Sequence, residues 1–393
     1  MRALALFLVL SIGFFSPCTA EDGGFEIVGR QNRRTAAEIR EYHRQQRKVH
    51  KNYLVGYPDE AVIFSISIGT PAQNFNVSVE TSTAALWVFE PTYTNLDPSI
   101  PAYNSTLSST SSLLNCCWTG KSDNFEYTGL LYEDKTAIHN GNGKPITVTQ
   151  AFSTVQAIYQ TDGDLTNPTF DFSGALGLAW TNVADPQPPI LTILNSIPQL
   201  PGKMATFWLD KPAGFDSKPS ASVAFGRPNS KKCDLDFSAV NMVFWTPPNS
   251  EVGVLRLPID AFTFTAVAQS GQGVATVNYG QPVVLFPRGV IDQLFGELDI
   301  GYNEDLGLIT TDCANAGVWD DWVFTIGGYD YAIPSTSYIS DIGLGDTCAL
   351  LYDEINGDTQ ANFAIGSVFF WNFCVKIDVD HQQFGFSKSI PSA

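Results

Sequence analysis

The sequence predicts an all-β protein built from two lobes that face each other across a cleft. Few residues are charged (16%), whereas glycine (32) and proline (23) are numerous, and this composition favours strands joined by turns over long helices. A weak internal repeat predicts the two lobes. A strand end, a short turn and a second apolar stretch run from Val79 to Leu86 and again from Val277 to Leu285. A cleft between two similar lobes is a common ligand site.

The first 20 residues have the pattern of a secretory signal peptide. Arg2 supplies a positive charge, Ala3 to Phe15 are mostly apolar, and Cys18-Thr19-Ala20 is a small-residue cleavage site. The apolar stretch is too short to span a bilayer, and no later stretch is long and apolar enough. We therefore expect a secreted protein, or one delivered to a lysosome-like vesicle, without a membrane span.

Residues 21–55 form a basic segment ahead of an acidic body. Eight lysines and arginines lie between Arg30 and Lys51 in a helix-permissive stretch, whereas the whole chain has a formal charge of −18. Opposite charges favour contact between this segment and the body, and a solvated basic helix is the alternative. The acidic body argues against nucleic acid as a partner.

The stretch from Ala61 to Phe89 contains specific motifs. An alternating strand ends at Gly69-Thr70-Pro71, and a second strand leads through Val79-Glu80-Thr81-Ser82-Thr83 into Leu86-Trp87-Val88. This arrangement resembles the first active-site loop of the pepsin-like aspartic proteases, in which hydrophobic-Asp-Thr-Gly-Ser precedes an apolar run ending in Leu-Trp-Val. Further elements resemble that family in order and spacing from about residue 55 to Lys388.

The resemblance implies a bilobal pepsin-like acid protease fold, with two β lobes related by a pseudo-two-fold axis. It places an N-terminal lobe at residues 56–210 and a C-terminal lobe at residues 211–393. It also implies that the basic residues 21–55 resemble the propeptide that covers the cleft in zymogens of the family.

Both catalytic positions of the family are altered. Glu80 stands where the first loop has aspartate, and Asn278 stands where the second loop has aspartate. Aspartic proteolysis needs two carboxyl groups that share one proton, one acting as a base toward water and the other as an acid toward the scissile carbonyl. An amide has no proton to exchange at useful pH, and glutamate is one methylene longer than aspartate. The sequence therefore predicts a degenerate dyad.

The residues around the dyad also depart from the family pattern. Thr81 is kept and is expected to brace the opposite loop, but Tyr279 replaces the corresponding threonine of the second loop. Ser82 replaces a glycine, whereas Gly280 is kept. We expect Glu80, Asn278, Thr81 and Tyr279 to line the cleft floor, with Ser82 and Gly280 in the same two loops. Tyr127 matches the tyrosine of the flap hairpin over the cleft, whose tip would then be short by about five residues; an ordinary hairpin tyrosine is the alternative.

Six cysteines remain once the signal peptide is removed, an even number that suggests disulfides in a secreted chain. The resemblance implies a C-lobe disulfide, Cys313–Cys348, and a second pair known in nematode members, Cys233–Cys374. The adjacent Cys116 and Cys117 are expected to be joined to each other or paired elsewhere.

Two sequons predict N-glycosylation, at Asn76 and Asn104. Asn104 lies in a loop-like stretch rich in serine and threonine and is the expected glycan site. Asn76 lies in a predicted strand, where we expect it to be inaccessible.

Two functions of different classes are consistent with these residues. The first is a catalytically inactive homologue that binds a peptide or a protein in the interlobe cleft. The second is an endopeptidase that works at acid pH through Glu80. The four histidines show no metal-ligand spacing, and neither function requires a metal or a cofactor. The residues favour no particular oligomeric state.

Overall fold

The computed structural model is built mainly from strands. It describes residues 25–31, 37, 40, 61–81, 83–93, 96–121, 125–139, 145–160, 165–166, 172–179, 188–197, 200–214, 217–245, 254–265, 267–355 and 363–392. The signal-like residues and most of the basic segment lie outside these ranges. The helices of the described chain are Pro189–Ser196 (α1), Arg288–Glu297 (α2), Ser335–Tyr338 (α3) and Ser367–Phe370 (α4). None of them is long and apolar enough to cross a membrane.

Strands carry most of the regular structure in the described part of the chain, as the composition predicts. In chain order they are Phe25–Gln31 (β1), Val62–Ile68 (β2), Gln73–Glu80 (β3), Leu86–Phe89 (β4), Ser112–Lys121 (β5), Phe125–Ile138 (β6), Ile146–Gln160 (β7), Leu165–Thr166 (β8), Gly174–Gly177 (β9), Met204–Leu209 (β10), Ser220–Phe225 (β11), Val240–Asn241 (β12), Val243–Trp245 (β13), Val254–Phe264 (β14), Val267–Val277 (β15), Val284–Phe286 (β16), Gly301–Asn303 (β17), Leu308–Asp312 (β18), Trp322–Ile326 (β19), Tyr329–Ile333 (β20), Ile339–Leu344 (β21), Thr347–Leu350 (β22), Tyr352–Glu354 (β23), Phe363–Ile365 (β24), Phe373–Asp378 (β25) and Gln383–Lys388 (β26).

One sheet of 14 strands contains strands from both ends of the chain. Its order is β12-β26-β25-β10-β11-β1-β2-β3-β9-β4-β7-β6-β5, and β8 pairs with β7. The C-terminal hairpin of β25 and β26 joins this sheet by antiparallel pairing with β10, where Ala205 lies opposite Ile377. The sheet therefore connects the two halves of the chain through continuous backbone hydrogen bonding.

The second half of the chain supplies two further sheets. An eight-stranded sheet has the order β20-β19-β14-β15-β24-β16-β23, with β13 paired to β14, and a four-stranded sheet has the order β17-β18-β22-β21. Phe262, Phe286 and Phe324 are fully buried and pack against one another in the core beside the larger sheet. In the first half, Phe75 and Val77 of β3 are buried in the same manner, because every second side chain of a strand points to one face.

The internal repeat of the sequence corresponds to a repeated strand arrangement. In the first half, β3 runs parallel to β9 while β4 runs antiparallel to β9. In the second half, β15 runs parallel to β24 while β16 runs antiparallel to β24. The outer neighbours also correspond, since β4 pairs with β7 and β16 with β23, both in parallel. The prediction of an all-β protein with two similar lobes is confirmed.

The N-terminal strand β1 is part of the large sheet. It pairs antiparallel with β11 along its length and with the start of β2. Phe25 and Ile27 are buried, and Gln31 is fully buried. The indole Nε1 of Trp371 donates to Gln31 Oε1 at 3.2 Å. The beginning of the basic segment is therefore a packed strand that contacts both halves of the chain.

Two of the expected disulfides are present. Cys233 is bonded to Cys374 and Cys313 to Cys348. Cys116 and Cys117 are instead exposed thiols whose Sγ atoms lie 3.7 Å apart. In this structure they are joined neither to each other nor to another cysteine of the described chain, so the first of the two expected pairings is wrong.

Candidate active site

The two active-site positions lie where two equivalent strands end. Glu80 is the last residue of β3 and lies opposite Gly177 of the parallel strand β9. Asn278 directly follows β15, and its backbone N–H donates to the carbonyl of Ile365 at 2.9 Å. Because a parallel neighbour holds each strand up to this point, the side chains emerge from the sheets at defined places.

Glu80 and Asn278 approach each other beside Gly280. A Cβ atom added at Gly280 would lie 3.2 Å from Glu80 Cγ, 3.6 Å from Asn278 Oδ1 and 2.9 Å from the carbonyl oxygen of Val79. Both side chains are half-buried. Any side chain at position 280 would press on the backbone of the first loop, which explains why this loop position is a glycine.

The polar groups of this pair are engaged locally. The Thr83 hydroxyl donates to Glu80 Oε2 at 3.5 Å, and Asn278 Oδ1 accepts from the backbone N–H of Gly280 at 3.1 Å. Asn278 therefore supports the turn of its own loop. The centre contains one carboxyl group and one amide where proton sharing would need two carboxyl groups.

Thr81 connects the two loops. Its hydroxyl donates to the carbonyl of Val277 at 2.6 Å and accepts from the backbone N–H of Tyr279 at 2.9 Å. The side chain is only 5% exposed, so both backbone groups of the second loop depend on this hydroxyl for their hydrogen bonds. Ser82, the next residue, lies outside the described part of the chain.

Tyr279 does not line the cleft floor, and that expectation is wrong for its side chain. The residue is fully buried. Its hydroxyl donates to the carbonyl of Trp208 at 2.5 Å, and its ring packs against Phe207 and Phe370. Burial raises the pKa of the phenol well above its ordinary value, so it remains a neutral donor. The Tyr279 hydroxyl therefore makes no hydrogen bond to the first loop. Of the two expected side-chain contacts between the loops, only the one made by Thr81 is present.

Replacing Thr81 with valine is expected to lower the free energy of unfolding by about 3 kcal/mol. Valine keeps the shape but leaves the Val277 carbonyl and the Tyr279 N–H buried without their hydrogen-bond partner. Thr81→Ser keeps the hydroxyl and should cost about 1 kcal/mol or less. Urea unfolding of the three proteins tests this prediction, and equal midpoints would show that the hydroxyl does not hold the loops.

Tyr127 lies on the return strand of the flap hairpin, not ahead of its tip. In the antiparallel pair of β5 and β6, Gly120 lies opposite Tyr127, and the pairing continues to Lys121 opposite Glu126. The expectation of a tip short by about five residues is therefore wrong, because the turn comes before Tyr127.

Tyr127 is an ordinary core residue of this hairpin. It is 8% exposed, and its ring centroid lies 5.1 Å from that of Trp87. Gly129, two residues later, is needed for close strand contact, since a Cβ there would lie 1.7 Å from the Thr154 carbonyl. This position agrees with the alternative prediction from the sequence, in which Tyr127 is an ordinary hairpin tyrosine.

A buried cation that the sequence did not predict lies close to the second loop. Arg256 of β14 is 4% exposed, and its guanidinium donates to the hydroxyl of Thr276. Thr276 is the penultimate residue of β15 and lies two positions before Asn278, which directly follows the strand. A lone arginine in the sequence gives no sign of this placement, which depends on the pairing of β14 with β15.

The two sequons differ from expectation in their exposure. Asn76 on β3 is exposed, and its Oδ1 accepts from the Ser65 hydroxyl at 2.9 Å. Asn104 is half-buried, and its Oδ1 accepts from the backbone N–H of Thr106 at the start of a short 3-10 turn. The expectation that Asn76 is inaccessible is wrong, since a strand residue on the outer face remains open to solvent.

The structure has two β lobes, and each lobe contributes one loop to a shared centre. This arrangement defines the class of bilobal acid-protease folds. The chain belongs to the family described as eukaryotic aspartyl protease, whose family model matches residues 62–389. The resemblance read from the sequence motifs is therefore confirmed.

Individual relatives and a solved structure agree with this assignment. The chain is 24% identical over 349 residues to aspartic protease 17 of Caenorhabditis elegans, covering 85% of this chain and 84% of that protein. It is 25% identical over 341 residues to pepsin A of Suncus murinus, covering 84% and 82% respectively. The crystal structure of an aspartic proteinase from Irpex lacteus superimposes with a TM-score of 0.69 at 15% identity, covering 93% of this chain and 97% of that chain. This last similarity concerns the fold alone.

Proposed function

We propose that this protein is a secreted, catalytically inactive member of the family that binds a peptide or a protein in the interlobe cleft. The observation that carries the proposal is that Glu80 and Asn278 both lie beside Gly280, with Glu80 Cγ 3.2 Å and Asn278 Oδ1 3.6 Å from the position of a Cβ atom added there. One carboxyl group can act as a base toward water, but the amide cannot supply the proton that the scissile carbonyl requires. A cleft whose loops are in place can still bind a peptide or a protein when its dyad cannot catalyse hydrolysis.

The surrounding contacts support the same conclusion. Asn278 uses its carbonyl oxygen to accept from Gly280 N–H within its own turn. Tyr279 directs its hydroxyl to Trp208, away from the first loop. The groups of a catalytic centre must be held to within about half an ångström by hydrogen bonds from the residues around them. Of the two threonine hydroxyls that would hold the loops together, this centre has only that of Thr81.

Secretion is part of the proposal. It rests on the signal-like residues 1–20 and on the two disulfides, which form in oxidising compartments. Delivery to a lysosome-like vesicle would satisfy the same requirements. Glycosylation at Asn76 or Asn104 belongs to the same expectation.

Purified protein is expected to leave an acid-unfolded protein substrate intact between pH 3 and 6. Loss of one member of a catalytic unit commonly lowers kcat by several orders of magnitude, about 10⁴-fold. The experiment compares wild type with Glu80→Gln by mass spectrometry of the substrate, with and without a transition-state-mimic inhibitor of aspartic proteases. Inhibitor-sensitive cleavage that disappears in Glu80→Gln would overturn the proposal and establish the endopeptidase alternative.

Binding is measured with the same materials. Wild type should retain the unfolded substrate or peptides derived from it, detected by a change in tryptophan fluorescence or by calorimetry, and the inhibitor should compete. Absence of both cleavage and binding would refute the role of the cleft.

A further inference from the structure

The strand β5 is an open edge of the large sheet. It is the terminal strand in the order of that sheet, and its neighbour is β6. Six consecutive residues, Ser112 to Cys117, are exposed, and among them Leu113 and Leu114 are 54% and 49% exposed. Natural proteins usually protect such an edge with charged side chains, proline or a covering element. Apart from Lys121 at its end, β5 contains no charged residue and no proline.

The same edge lies in an uncharged part of an acidic chain. Residues 98–120 contain no aspartate, glutamate, lysine, arginine or histidine, whereas the whole chain has a formal charge of −18. Two copies of an acidic protein repel each other over most of their surfaces. An uncharged edge is the place where this repulsion is weakest, and it offers a charged partner no attraction.

Two thiols stand in the middle of this edge. Cys116 and Cys117 lie in a bulge, where the register with β6 shifts between Asn115 and Trp118. Both thiols are exposed, and the other cysteines of the described chain are in disulfides. Exposed thiols in a chain with disulfides point to pairing between molecules.

We propose that β5 is a homodimer interface in which two copies pair their β5 edges antiparallel and are linked by a disulfide between equivalent cysteines, Cys116 to Cys116 or Cys117 to Cys117. Antiparallel pairing of one strand with its copy creates a two-fold axis, which closes the assembly as a dimer. Directly opposite residues of an antiparallel pair share one face of the sheet, so the two-fold axis passes between equivalent residues and places Cys116 opposite Cys116, or Cys117 opposite Cys117, of the second copy. Strand addition of this kind uses the outward backbone N–H and C=O groups of the edge. The Cys117 N–H, which donates to Asn115 Oδ1 at 3.0 Å in the single chain, would exchange that acceptor.

The covalent link forms by thiol–disulfide exchange with a low-molecular-weight disulfide such as oxidised glutathione. The thiolate of one copy attacks the small disulfide, forms a mixed disulfide and releases one small thiol. A cysteine thiolate of the second copy then attacks the mixed disulfide and releases the second small thiol. Two protein thiols are oxidised, and one small disulfide is reduced to two thiols.

The link is needed because the strand pair is small. Two paired ten-residue strands bury less than the roughly 1,200 Å² that stable interfaces bury. The paired edges therefore position the thiols, and the disulfide makes the dimer persistent on dilution.

The test uses the full chain recovered from the medium of expressing cells. Non-reducing electrophoresis should show a dimer that a mild reductant converts to monomer. A mixture of ordinary and ¹⁵N-labelled protein, reduced, mixed and reoxidised with oxidised glutathione, should give crosslinked peptides that join one labelled and one unlabelled copy at Cys116 or at Cys117.

Variants separate edge pairing from random oxidation. Leu114→Lys puts a charge on the edge while leaving both thiols in place, and should slow covalent dimer formation about tenfold. Leu235→Lys changes a leucine that is 57% exposed outside the edge, and should leave the rate unchanged. Cys116→Ser/Cys117→Ser should remove the covalent dimer.

Three results would overturn the proposal. The protein could remain a monomer whose Cys116 and Cys117 are joined within one chain, as peptide mapping would reveal. The crosslink could map to other cysteines. Leu114→Lys could dimerise as fast as Leu235→Lys, which would mean that the edge does not guide the reaction.

Discussion

Replacing Tyr279 with threonine, the residue type of the family's second loop, is expected to lower the free energy of unfolding by about 4 kcal/mol. The tyrosine is fully buried, with ring centroids 5.3 Å from Phe207 and 5.0 Å from Phe370. Threonine would leave a cavity between these rings and would be too short to donate to the Trp208 carbonyl. That carbonyl would lose the hydrogen bond it accepts from the phenol, which adds to the cost.

Matched variants divide this effect into its parts. Tyr279→Phe keeps the ring and loses only the hydroxyl, so it should cost about 1 kcal/mol. Tyr302→Thr makes the same change at a tyrosine that is 41% exposed, and should change stability by about 0.5 kcal/mol or less. Urea unfolding measures all three, and a Tyr279→Thr protein as stable as Tyr302→Thr would contradict the structural role of the buried ring.

The packing of Tyr279 bears on the proposed loss of catalytic activity. A threonine at position 279 would be required for the second half of the brace between the loops, yet the core beneath the cleft is packed around an aromatic ring. Restoring two carboxyl groups through Glu80→Asp/Asn278→Asp would therefore leave the second loop without its reciprocal hydroxyl.

Replacing Asp134 with alanine is expected to lower the free energy of unfolding by about 4 kcal/mol at neutral pH. The carboxylate is 1% exposed and accepts hydrogen bonds from the Tyr103 hydroxyl at 2.8 Å and the Thr110 hydroxyl at 2.5 Å. Its own backbone neighbour, the Lys135 N–H, donates at 2.8 Å. Alanine would leave the buried Tyr103 hydroxyl without this acceptor, and the half-buried Thr110 hydroxyl and the Lys135 N–H would also lose the carboxylate.

The effect of Asp134 depends on pH. Burial raises its pKa, but hydrogen bonds from Thr110, Ser108, Tyr103 and the Lys135 backbone outweigh it and hold the pKa below the ordinary value of 3.8. A depressed pKa in the folded state stabilises the protein above the unfolded-state pKa, and this stabilisation is lost as the pH falls through the folded-state pKa. The stability difference between wild type and Asp134→Ala should therefore shrink below pH 3.8.

Glu133→Ala is the matched control for this prediction. Glu133 is the preceding residue on β6 and is half-buried, and its loss should cost about 1 kcal/mol or less. Thermal unfolding of the three proteins from pH 7 to pH 2.5 tests both points. An Asp134→Ala penalty that stays constant over this range would contradict the assignment of the hydrogen bonds to the ionised carboxylate.

Short-range patterns in the sequence determined the family, the fold and the altered dyad. The alternation in β2 and β3, the Gly-Thr-Pro turn and the run through Leu86-Trp87-Val88 are local features, and strand formation follows from them directly. The internal repeat then predicted two lobes and brought Glu80 and Asn278 to one place. Their chemistry is readable from residue type alone, because an amide and a carboxyl group differ in the protons they can exchange.

The tertiary structure alone decided where individual side chains point. Tyr279 points into the core, where its hydroxyl donates to the carbonyl of Trp208, a residue 71 positions earlier in the chain. Tyr127 lies on the strand that follows the hairpin turn, and its side chain is part of the core. Asn76 is open to solvent because the outer face of β3 is uncovered there. Arg256 of β14 reaches Thr276 because β14 pairs with β15. Such contacts depend on residues distant in sequence, whose approach no local pattern records.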